Sequence, residues 1–221
     1  MALPHEERPL GLQIPPVPAG VAIPPEPPDV GARALSVAAR LAAGATTFFF
    51  LAFVFAYFYL RSLDVEHMWH PAHVKPKAGL GVAFLACIVL SAALATVAGR
   101  AMKGRRAGWI RPAWGAVLLG FAAIAVQCVE YTVQKFGPTN GAYASVFCTW
   151  TAMYLIAVLA TMYWLETQVA TEMRASRAPA RGDGDIRDPD RLIAPGLDAA
   201  VFYWSYLAGI GVITYVVLYL L

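Results

Sequence analysis

Five stretches of this chain are long and apolar enough to cross a bilayer, and together they contain only one acidic or basic residue. They run from Leu41 to Leu60, Ala78 to Gly99, Pro112 to Gln134, Gly141 to Leu165 and Ala199 to Leu221, and Glu130 is the single Asp, Glu, Lys or Arg among them. A hydrocarbon layer of roughly 30 Å takes about 20 residues of helix to span. The expected fold is therefore all-α, a multi-pass membrane protein with five transmembrane helices. Composition agrees: 59% of residues are hydrophobic and 14% charged, where a soluble domain has roughly half and a quarter.

The basic residues orient the helices. Arg8, Arg33 and Arg40 precede the first span; Arg100, Lys103, Arg105, Arg106 and Arg111 fill the second loop; and Arg174, Arg177, Arg181, Arg187 and Arg191 fill the fourth. The other side carries only Arg61, Lys75, Lys77 and Lys135. Positive charge is retained in the cytoplasm, so the N-terminus is expected there and the C-terminus outside. The net charge of +3 then reports topology, and no patterned basic surface suggests nucleic acid.

Residues 1–33 hold nine prolines, a composition that favours extended, unpacked chain. They are expected to form a cytoplasmic tail on a membrane domain covering 34–221. The segment lacks the basic start and short apolar core of a cleavable signal peptide, which makes the first span an uncleaved anchor. Between Arg174 and Pro195 both charge signs mix with Gly and Pro, which reads as a mobile loop.

Several kinds of chemistry are missing from the spans. His5, His67, His70 and His73 all lie outside them, so no membrane helix offers an imidazole to haem or buried copper. Cys87, Cys128 and Cys148 fall one to a span without CxxC spacing, as packing residues do. No phosphate-binding loop occurs, and no catalysis is expected from this chain alone. In the outer loop, Glu66-His67-Met68-Trp69-His70-Pro71-Ala72-His73 contains ligand types for zinc or copper. Pro71, however, prevents one helix from presenting His67, His70 and His73 together. A solvated loop with Trp69 at the membrane surface is the simpler reading.

Gln127, Glu130 and Tyr131 are spaced at three and four residues, which places them on one side of the third helix. From Ala123 at mid-span, Glu130 lies about 10 Å along the axis and Gln127 about 6 Å, against a half-thickness of about 15 Å. Glu130 is near enough to the surface to snorkel as an anchor beside Tyr131. The alternative is a structural polar seam of Arg61, Gln127, Glu130 and Tyr131, in which Gln127 and Glu130 fix this helix to a neighbour through Arg61, which the topology places at the same level. The small residues Ser91, Ala92, Ala95, Ala98 and Gly99 in the second span, with Gly115, Ala122 and Ala123 in the third, permit close helix approach. Phe48, Phe49, Phe50, Phe53 and Phe55 nearly encircle the first helix, as suits lipid tails.

Taken in order along the chain, several features carry a resemblance. They are the aromatic first helix ending Phe55-Ala56-Tyr57-Phe58-Tyr59-Leu60-Arg61, the pattern of Gln127, Glu130 and Tyr131, and Gly141-Ala142-Tyr143-Ala144-Ser145-Val146-Phe147 at the start of the fourth span. From about Ala34 to Leu221 the chain resembles subunit III of the haem-copper cytochrome c oxidases, in the short five-helix bacterial form. The resemblance implies a chain without cofactor, with haem and copper in partner subunits. It further implies packing against subunit I, with subunit II and other respiratory subunits in the complex, and phospholipid held between helices in a bacterial inner membrane. It tips the Glu130 alternatives towards the seam.

The chain departs from that family at ionisable positions. Thr46 stands where the first span normally has a buried glutamate. Tyr154 and Ala157 replace two histidines in the fourth span, and Trp204-Ser205-Tyr206-Leu207-Ala208 replaces a Trp-His-Phe-Val-Asp pattern in the last. Thr46, Tyr154 and Ser205 form hydrogen bonds but are poor proton reservoirs near neutral pH. The expected function is thus a non-catalytic accessory subunit of a terminal oxidase. The alternatives are the accessory subunit of a nitric oxide reductase-type complex or a small transporter.

Overall fold

The computed structural model describes residues 28–64, 69, 71, 74–104, 108–177 and 189–221. Five helices account for almost all of them: α1 (Pro28–Ser62), α2 (Ala78–Lys103), α3 (Ile110–Val133), α4 (Ala142–Arg177) and α5 (Pro189–Tyr215), the last running into a π-helical turn at Val216–Leu220. Each is long and apolar enough to span a membrane, and no strand occurs among the described residues.

The helices outrun the apolar windows. Helix α1 begins at Pro28, inside the segment expected to be tail. A proline in the first helical turn gives up only an N–H that would lack a partner there anyway, and the Ala-, Leu- and Arg-rich run that follows favours helix. At the fourth loop, α4 continues to Arg177 and α5 starts at Pro189 with Pro195 inside it, so helix covers both ends of the expected loop. Residues 178–188, like most of the tail, lie outside the described residues.

Helix α5 is the central post. It packs on α1, α2 and α4, and half of its span is buried against 17% for α1. The most extensive pairing is α2 with α3: both helices bury small residues, Ser91, Ala92, Ala95 and Ala98 on one and Ala113, Ala116 and Ala123 on the other, Ser91 donates to the Ala116 carbonyl, and Gly115 lies against Leu94. Small side chains bring two backbones close enough for dispersion to hold them where no hydrophobic driving force exists. Large aromatic residues fill the space around α4 and α5: Trp150, Trp204, Tyr57, Tyr154 and Phe147 are all fully enclosed.

The phenylalanines of α1 divide between two environments. Phe48, Phe49 and Phe55 are exposed along the outer face, whereas Phe50 is buried with its ring edge-on to Tyr154 at 5.8 Å. Phe53 stacks on Trp150 at 5.8 Å. Only part of the aromatic belt is therefore free to meet lipid.

Candidate functional site

The end of the bundle where α1, α3 and α5 finish and α2 and α4 begin gathers its densest polar chemistry. Glu130, in the last turn of α3, is completely buried. Its carboxylate accepts the Tyr219 hydroxyl, 2.9 and 2.8 Å from the two oxygens. It also accepts Gln127 Nε2 at 3.0 Å and the main-chain N–H of Lys77, just before α2. Three elements thus converge on one carboxylate. An enclosed carboxylate is tolerable only when donors replace its lost water, and here they come from α3 itself, from the entry to α2 and from the π turn after α5.

The spacing of Gln127 and Glu130 explains their contact, since residues three apart on a helix are neighbours. Tyr131 is rotated about 100° from Glu130 and turns instead to α4, where its hydroxyl donates to Thr151 Oγ1 at 2.8 Å. Arg61 does not join the cluster. It donates to the Leu221 carbonyl at 2.9 Å and to Tyr57 Oη at 3.5 Å. The physical reason lies in the order of the helices: α3 packs on α2 and α4, while α1 packs on α5 and α4. Arg61 and Glu130 lie at the same end of the bundle, on helices that do not pack extensively on each other. Glu130 has no exposed surface through which to snorkel.

Beside the cluster, Tyr57, Trp69 and Tyr143 form an aromatic triad. The Trp69 ring lies edge-on to Tyr57 at 5.2 Å and to Tyr143 at 5.8 Å. Expected at the membrane surface in a solvated loop, Trp69 is buried between those rings; its main-chain N–H bonds the Asp64 carboxylate at 3.1 Å and its carbonyl accepts from Tyr143 N at 3.3 Å. Those bonds hold Trp69 against the ends of α1 and α4. The Tyr143 hydroxyl donates to the Leu218 carbonyl at 2.5 Å, closing α4 on the π turn.

Of the further span positions singled out in the sequence, Thr46, Tyr154 and Ser205 are tied by their hydroxyls. Thr46 Oγ1 lies 2.8 Å from Tyr203 Oη. Thr47 spends its proton on the Ala43 carbonyl, leaving the Tyr206 hydroxyl, 2.6 Å away, as the donor between them. Tyr154, fully enclosed, donates to the Leu207 carbonyl at 2.9 Å. Gly211 makes room for it, because a Cβ there would collide with the phenol. Ser205 bonds back to the Val201 carbonyl at 2.8 Å and lies 3.4 Å from Thr96 Oγ1. Ala208 is buried and Ala157 half-buried. Two indoles complete the pattern: Trp204 Nε1 donates to Ser91 Oγ at 3.1 Å, which passes its own proton to the Ala116 carbonyl at 2.5 Å, and Trp150 Nε1 donates to Thr214 at 3.0 Å.

Among the described residues no three His, Cys, Asp or Glu side chains stand close enough to hold a metal ion. His67, His70 and His73 are outside the described residues. Cys87, Cys128 and Cys148 are free thiols.

Sequence reasoning missed Tyr219 and Lys77. Tyr219 stands 89 residues from Glu130, and an aromatic near the end of a span reads locally as an interfacial anchor. The Lys77 contribution is a backbone N–H, which no side-chain pattern announces.

Comparison with known proteins accounts for this architecture. Curated relatives named cytochrome c oxidase subunit 3 match it at low identity: 28% over 179 residues in Latimeria chalumnae, 26% over 178 in Gallus gallus and 27% over 179 in Carassius auratus. Each match covers 78% of this chain and 64% of the relative, so the chain spans a little under two thirds of their length. The family profile described as cytochrome c oxidase subunit III matches residues 32–221, which takes in all five spans and the Glu130 cluster, and the chain accordingly belongs to the cytochrome c oxidase subunit III family.

Proposed function

We propose that this chain is the accessory subunit III of a bacterial haem-copper terminal oxidase. It serves aerobic respiration by holding the catalytic subunit and its lipids in place and performs no chemistry of its own. The observation that carries the reading is the family match across the five-helix domain. The interior supports it: several polar side chains of the spans, among them Tyr131, Tyr154, Trp150, Trp204 and Tyr219, tie one helix to another. On this reading Gln127 and Glu130 form a structural seam, with Tyr219 in the place expected for Arg61, and Tyr131 makes a separate tie to α4. The exposed apolar side of α1, with Leu41, Phe48 and Phe55 on its surface, faces phospholipid or a partner subunit. Haem and copper reside in subunits I and II. The Arg-rich loops face the cytoplasm, so a cysteine introduced at Asp185 is labelled only from that side and one at Thr139 only from outside.

Purification of the tagged chain in mild detergent, with identification of the co-purifying subunits and an optical spectrum, tests the function. A haem-bearing catalytic subunit with oxygen-reducing activity is expected. Haem partners that reduce nitric oxide instead would move the chain to a nitric oxide reductase-type complex, and a spectrally silent homo-oligomer would favour a transporter.

A further inference from the structure

Two cavities lie beside the Glu130 cluster, and one of its side chains lines both. At the end of the bundle a vestibule of about 510 Å³ opens among Tyr57, Trp69, Tyr143, Arg61, Lys75 and Tyr219. Inside the bundle a chamber of about 10 Å³ is lined by Gln127, Thr151, Tyr154, Thr214, Tyr215 and Tyr219, with Gly81 and Gly211 in its walls. That volume is about what one water occupies. Of the residues lining either cavity, only Tyr219 lines both.

The chamber has the polar valence to hold a water. Tyr154 gives its proton to the Leu207 carbonyl, which leaves a phenolic lone pair as acceptor. Thr214 accepts from Trp150, which leaves its hydroxyl proton to donate. Gln127, the third polar wall, is bonded to Glu130, so a water here stands one side chain from the carboxylate.

Three features describe how Tyr219 is mounted. It sits in the π-helical turn Val216–Leu220, a geometry frequent at functional sites because it displaces a side chain from the regular helical path. Its ring fills a notch at Gly81, where an added Cβ would stand 2.6 Å from the nearest ring carbon. Its hydroxyl is fastened to Glu130 alone among the described side chains.

We propose that the chamber is a binding site for an internal water and that Tyr219 is the latch through which that water enters from the vestibule. With the phenol bonded to Glu130 the ring lies across the opening. When that bond breaks, the ring swings on the π turn, water passes, and the buried carboxylate meets the aqueous phase at this end of the bundle. Glu130 is then dry when latched yet open to exchange when released.

The test uses the intact complex in mild detergent, with Cys87, Cys128 and Cys148 replaced by alanine and Thr214→Cys placed in the chamber wall. Silver ion, close to water in size, is the probe, and the readout is the rate at which the thiol is lost to titration after denaturation. Blocking should be slow with Tyr219 present. Tyr219→Phe, which keeps the ring and removes its bond, should be roughly ten- to a hundredfold faster, the order expected for losing one hydrogen bond to a charged group; Tyr219→Ala should be faster still. Equal rates with Tyr and Phe would overturn the latch. Rapid blocking in the parent, or slow blocking even with Ala, would overturn the route. Should Tyr219→Phe fail to assemble, Glu130→Gln weakens the same bond from the other side and should also speed blocking; no acceleration there would equally refute the proposal.

Discussion

At the Tyr219 end of the bundle α5 is held by a carboxylate with donors from three elements, whereas deeper in the bundle it is held by hydroxyls and indoles acting singly. The two kinds of tie differ in what happens when one partner is lost. A threonine that loses a tyrosine can turn back to its own helix, as Thr47 does towards Ala43 and Ser205 towards Val201. Glu130 has no such refuge, because the carboxylate is fully enclosed, and removing it takes the shared acceptor from Tyr219, Gln127 and the Lys77 N–H together. Stability should therefore be concentrated at one end and spread thinly elsewhere.

That contrast ranks the substitutions. Glu130→Ala should lower the thermal stability of the complex most, since the buried Gln127 amide is left unmet at a cost of roughly 1–3 kcal/mol and the Tyr219 and Lys77 bonds are lost with it; a loss no larger than that of a deeper tie would erase the distinction. Tyr219→Phe should come next, at about 1.5–3 kcal/mol for one bond to a charged group, because Gln127 and Lys77 still serve the carboxylate. Trp204→Phe should cost about 1 kcal/mol, since Ser91 keeps its bond to Ala116. Thr46→Ala should cost about 0.6 kcal/mol, the mean for hydrogen bonds between membrane helices. Arg61→Ala sharpens the boundary of the cluster: measured alone and with Glu130→Ala, its effect should simply add, because the two residues share no partner. Clear coupling would place Arg61 back in the seam.

How much of this was legible in the sequence follows from the range of each interaction. The five spans could be read because bilayer thickness acts on contiguous residues, and the Gln127 to Glu130 contact because it is three residues long. Small residues in the second and third spans pointed to a close pair of helices, which α2 and α3 form. The placement of Arg61 went astray because topology fixes depth but not which helices are neighbours, and α1 and α3 are separated by others. Tyr219 was out of reach for the same reason, and its π turn left no mark in an apolar run. The helix starts at Pro28 and Pro189 were hidden by prolines, which end helices when interior yet begin them without loss.

We propose that Glu130 holds this subunit together and, on the function proposed above, carries no step of the reaction of the complex. One preparation of the Glu130→Ala complex decides it, by following retention of this chain in detergent alongside the initial rate of oxygen consumption. The account expects the chain to be shed faster than from the parent while the first turnovers run at nearly the parent rate. Full retention with slow initial turnover would contradict it and give Glu130 a part in the chemistry.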